Sequence, residues 1–124
     1  MRNAIRNKLI DGLPEVGERV YQPSMAGPAT QKPYAVVKRG GDVPTKMTHG
    51  FEIPFQIWLY SDVTSHTVLD ALQGKVIKLL MRKDLTTANG QVFSLEYEGG
   101  SEDFYDDELK ALTRRVDFRT VRAY

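Results

Sequence analysis

Residues Phe51–Tyr60 read F-E-I-P-F-Q-I-W-L-Y, with Phe51, Ile53, Phe55, Ile57 and Leu59 at every second position. Side chains alternate across a strand, so this spacing gathers five apolar groups on one face. A helix would scatter the same five around its circumference. The segment is therefore the core-facing strand of a sheet with one covered face. Its other face would carry Trp58 and Tyr60, two large amphipathic rings expected to sit partly in water. Pro54 lacks an N–H for the ladder, which predicts an edge position or a bulge at that point.

The remaining elements follow from periodicity. Ala4, Ile5, Leu9 and Leu13 recur at helical steps, with Arg2, Arg6, Asn7 and Lys8 opposite, and Gly12 and Pro14 stop the helix. Val16–Tyr21 leads into a loop with prolines at 23, 28 and 33. Pro33–Arg39 is a strand by its β-branched and aromatic content. Gly40–Gly50 is too long for a tight turn and is read as a loop of functional length. From Thr64, residues Val68, Leu69, Leu72, Val76, Leu79 and Leu80 keep helical spacing, with Ser61-Asp62 as a candidate cap. Gly74 inside that helix predicts a close approach to a neighbour.

Gln91–Glu98 alternates again, with Phe93, Leu95 and Tyr97 inward. An acidic loop, Gly99–Glu108, precedes a last strand, Leu112–Arg122, with Leu112, Val116 and Phe118 on one face and Arg115, Asp117 and Arg119 on the other. The order helix-strand-strand-helix-strand-strand predicts a four-stranded, mainly antiparallel sheet with both helices on one face, an α+β fold in a single domain spanning 1–124.

Bulk properties bound the function. A chain of 124 residues is long enough for one core, and its net charge of +1 gives no general attraction to nucleic acid or an anionic membrane. With no cysteine, disulfides and thiolate chemistry are excluded. The N-terminal segment, with Arg2, Arg6 and Lys8, lacks a signal-peptide run, and no segment approaches a membrane span.

No group of residues declares a reaction. His49 and His66 have no ligand partner at metal spacing and are read as solvated surface histidines. The run Glu102, Asp103, Asp106, Asp107 and Glu108 lacks the spacing that wraps calcium. It is read as a solvated hairpin loop, with electrostatic docking to a basic neighbour as the functional alternative. Arg114, Arg115, Arg119 and Arg122 are better placed for cross-strand pairing with Glu96 and Glu98 than for phosphate. No phosphate loop and no nucleophile–base arrangement stands out, so an enzyme is not expected. Trp58 and Tyr60, alternate on a face with no further element to cover them, mark a subunit contact.

R-V-Y (Arg19–Tyr21), P-Y-A-V-V (Pro33–Val37) and F-Q-I-W-L-Y-S (Phe55–Ser61) before V-L-D-A-L form a series over almost the whole chain. The series resembles the tail terminator (tail completion) proteins of long-tailed bacteriophages and prophages. The resemblance implies a structural virion protein, assembled in the host cytoplasm and sited at the head–tail junction. Such proteins form a ring, usually a hexamer, that caps the tail tube, ends its polymerisation and docks to the head connector. It implies the chain itself, the tube protein and a connector or stopper protein as partners, with no cofactor, membrane or sequence-specific nucleic acid. The subunit interface is then expected at Trp58, Tyr60, Glu96, Arg115 and Arg119. Partner recognition is expected in the two long loops, at Asp42, Lys46, Met47 and His49 and at Phe104 and Tyr105. Another head–tail junction protein, or a monomeric binding module, is the alternative.

Overall fold

The computed structural model describes residues 2–21, 25, 32–40, 43–44, 50–62 and 66–123, with the side chains of 43–44, 50–52 and 121–123 left out. The order is α1 (Arg2–Gly12), β1 (Val20–Tyr21), β2 (Tyr34–Arg39), β3 (Val43–Pro44), β4 (Gly50–Ser61), α2 (His66–Leu80), β5 (Leu85–Thr86), β6 (Val92–Phe93), β7 (Glu96–Gly100), β8 (Phe104–Asp106) and β9 (Ala111–Ala123). Seven strands form the main sheet, in the order β1-β2-β4-β9-β7, with β3 added to β4 and β8 to β9. A separate hairpin joins β5 to β6.

This corrects the expected four-stranded sheet and its element order. Three additions are strands of two or three residues, too short to show a period. β1 pairs in parallel with β2, β3 lies within the predicted Gly40–Gly50 loop, and β8 lies within the predicted acidic loop. The fourth difference is a split. The predicted strand Gln91–Glu98 divides because Arg82 N–H donates to the Leu95 carbonyl at 2.8 Å, so β6 turns back on β5 and only β7 joins β9. Within it, Phe93 and Leu95 are buried as expected, while Tyr97 is 36% exposed.

β4 is the axis of the sheet, antiparallel to β2 on one flank and to β9 on the other. Pro54 is thus not on an edge strand. Its carbonyl accepts from Gly40 N–H at 2.8 Å, so its missing N–H faces the flank where pairing passes from β2 to β3. No bond to β9 is lost there, because an antiparallel residue points both backbone groups to one side.

Ile53, Phe55, Ile57 and Leu59 of β4 are fully buried against α1 and α2. Ile5 and Leu9 of α1, with Leu69, Leu72, Val76 and Leu80 of α2, supply the covering stripe. Gly74 makes no close approach: it is exposed, with open space where a Cβ would stand. Gly100 does make a close approach to backbone: a Cβ there would lie 2.1 Å from the Arg115 carbonyl. Only a residue without a side chain lets β7 run this close to β9.

Candidate interaction surface

The sheet face opposite the helices divides into an apolar end and a charged end. At the apolar end Tyr34 and Tyr60 stack with centroids 4.6 Å apart, and Tyr21 meets Tyr34 edge-on at 5.8 Å. Tyr34 and Tyr60 form a second buried cluster with Val36 and Ala111, against which Tyr21, Trp58 and Leu109 pack. Burial pushes the Tyr34 and Tyr60 hydroxyls up to about 12, with the Asp106 carboxylate adding to the effect. Among the described residues, the buried Tyr34 hydroxyl has no hydrogen-bond partner.

Tyr60 is therefore not a wet interface ring but a core residue of this smaller cluster, 7% exposed. The cover is the segment 101–110, most of which belongs to the acidic loop Gly99–Glu108 that was expected to be solvated. β8 pairs Phe104 with Thr113, and the Phe104 ring meets Trp58 edge-on at 6.1 Å. Trp58 is half-buried, donates to Gln56 Oε1 at 3.1 Å and lies 6.0 Å from the Arg115 guanidinium. Phe104 and Tyr105 remain 41% and 43% exposed.

At the charged end, Arg115 pairs with Asp117 at 2.9 Å and Arg119 with Glu98 at 3.5 Å. A hollow of about 360 Å³ lies there over Pro54, Gln56, Glu98 and Asp117. The cross-strand pairing expected of the arginines holds for Arg119 with Glu98. Glu96 turns instead to Arg82, at 3.3 Å.

Arg114 departs further from its expected role. Its neighbour on β4 is Leu59, which places it on the helix-covered face. It donates to Asp103 from Nε and Nη2, the latter at 2.8 Å. Nη1 reaches Asp70 at 2.8 Å and Gln73 at 2.7 Å, both on α2. Asp103 also takes His66 Nδ1 at 2.7 Å, so His66 has an orienting carboxylate although its side chain is 61% exposed. The Arg114 guanidinium holds the Asp103 carboxyl below its ordinary value, against the raising effect of burial, and His66 adds to the lowering. Asp103 raises Arg114 in turn.

Of the expected site residues, then, Trp58, Arg115 and Phe104 come together in one patch, with Tyr105 on the same short strand. Asp42, Lys46, Met47 and His49 lie outside the described residues. The Arg114–Asp103–His66 contact was not foreseeable from spacing, because its members are 11 and 37 positions apart. Among the described residues, no group of three or more His, Asp or Glu could hold a metal ion, and no helix is long and apolar enough to cross a membrane.

The fold has solved counterparts. A chain of the native gene transfer agent virion particle matches with a TM-score of 0.77 and 19% identity, over 100% of this chain and 95% of that one. A second solved chain, whose description names no function, matches at a TM-score of 0.58 and 12% identity, over 100% and 97%. At these identities the likeness is one of fold. No protein-family model matches the sequence, and no curated protein matches it significantly.

Proposed function

We propose that this chain is a non-enzymatic structural protein of a phage-like particle, acting as a ring that caps the tail tube and docks to the head connector. The observation that carries the reading is the end-to-end likeness of its fold to a chain of a gene transfer agent virion. The resemblance of the strings Arg19–Tyr21, Pro33–Val37 and Phe55–Ser61 to tail terminators adds the position within the particle. The surface supports protein contact: Trp58 and Phe104 present partly exposed rings beside the Arg115 guanidinium, the residue types that anchor protein interfaces.

Two measurements test it. Light scattering of the purified protein should give a mass several times the 14.0 kDa of one chain, at least when tube protein is present. Particles made without the protein should carry tails of uncontrolled length. Tails of normal length left unjoined to heads would move the assignment to a connector or stopper. A monomer at every concentration, absent from purified particles, would overturn the virion reading altogether.

A further inference from the structure

Residues 101–110 grip both faces of the sheet at once. Phe104 pairs with Thr113, and Asp106 with Ala111, which sets Phe104 and Asp106 on the aromatic face. Asp103, one position earlier, reaches the helix-covered face, where it meets Arg114 and His66. Leu109, at the far end, packs against the Tyr34–Tyr60 cluster, and its N–H donates to Asp106 Oδ1 at 2.9 Å.

Both ends of the segment are marked by positive φ. Gly99 sits at φ 114° before it, and Lys110 closes it in the left-handed region at φ 53°. The near end is pinned, since Ser101 N–H donates to the Arg115 carbonyl at 3.0 Å and Arg115 N–H donates to Ser101 Oγ at 2.9 Å. Between these ends Glu102, Asp107 and Glu108 are exposed, and Phe104 and Tyr105 partly so.

We propose that residues 101–110 are a clip that opens and closes as one unit, with the Arg114–Asp103–His66 contact as its catch, and that opening bares the Tyr34, Tyr60 and Trp58 rings. Adjacent residues hold opposite faces, so opening breaks the β8–β9 pairing, the Phe104–Trp58 contact and the Asp103–Arg114 contact together. The few apolar contacts place this opening below the free energy of global unfolding. The inference stands whether or not the chain caps a tail.

The test uses Asp103→Ala in the full chain, read by amide exchange and by acrylamide quenching of Trp58, the only tryptophan. Loss of charge-assisted bonds should speed exchange about tenfold. The same factor should appear at Phe104–Asp106 and at Leu109, and Trp58 should become more quenchable. Amides at the centre of β4 and β9, Ile57 and Val116, should be unchanged. His66→Ala, a milder change at an exposed ring, should give the same pattern with a smaller factor. Acceleration confined to the neighbours of Asp103, with Leu109 and Trp58 unmoved, would show independent anchors and overturn the clip. Equal acceleration at Ile57 and Val116 would show global unfolding and overturn it as well.

Discussion

On the helix-covered face, β4 contributes Ile53, Phe55, Ile57 and Leu59 to one large apolar cluster; on the opposite face, the same strand contributes Tyr60 and Trp58 to a small aromatic one. The first is closed by two helices whose stripes are visible from periodicity. The second is closed by ten residues in which carboxylates outnumber apolar side chains. The difference teaches that burial here does not require an amphipathic element. A polar segment covers aromatic rings when it is anchored elsewhere, in this case by Asp103 on the far side of the sheet.

The sharpest way to break the comparison is at the two centres. Phe55→Ala should cost ~3–5 kcal/mol, the range for a fully buried aromatic with no room to collapse. Chemical denaturation measures it, and an unchanged midpoint would mean the face is not the core. Tyr60→Ala should cost somewhat less, ~2–4 kcal/mol, because its cluster is smaller and its cover thinner. A value near zero would return Tyr60 to the role of a wet surface ring.

The Asp103 anchor and the tyrosine pair should also lose their contributions at opposite ends of the pH scale. Asp103 has a folded pKa below its ordinary 3.8, so its stabilisation is present above about pH 4 and lost as pH falls through the lowered value. Acid titrations of unfolding free energy should therefore be flatter for Asp103→Asn than for the parent. Tyr34 and Tyr60 have folded values near 12. Their neutral forms stabilise fully below the unfolded value near 10, and the contribution is lost as pH rises toward 12. Replacing both by Phe should remove that alkaline loss. The smallest effect is that of Tyr34→Phe alone at neutral pH. Deleting a buried, unpaired hydroxyl should leave stability unchanged or raise it by up to ~1 kcal/mol. A clear loss would show that the hydroxyl has a partner in solution.

How much of this was legible follows from period and length. The odd residues of β4 and the α2 stripe of Leu69, Leu72, Val76 and Leu80 repeat often enough to fix both element and face. β1, β3 and β8 have two or three residues each, and no period exists at that length. Their absence from the expected sheet made Tyr60 look uncovered. Of the site, the shared face of Trp58 and Arg115 was readable from alternation, but their meeting was not, because the adjacency of β4 and β9 is a property of the sheet order. The seating of Asp103 was not, because charge alone argued for solvent, and only the three-dimensional approach of Arg114 reverses that argument.

The register between β4 and β9 has a consequence for how the chain acquires its structure. Gly50 lies opposite Ala123 and Ser61 opposite Leu112, so the central pair joins segments roughly fifty to seventy positions apart, a high contact order. During synthesis β4 emerges with its apolar face complete and must wait for β9, while β2 and α2 can only half-satisfy it. Folding is then expected on the millisecond-to-second scale of non-local sheets rather than the microsecond scale of helical bundles. Throughout that interval one long strand edge stays open to any neighbour, including another nascent copy of itself.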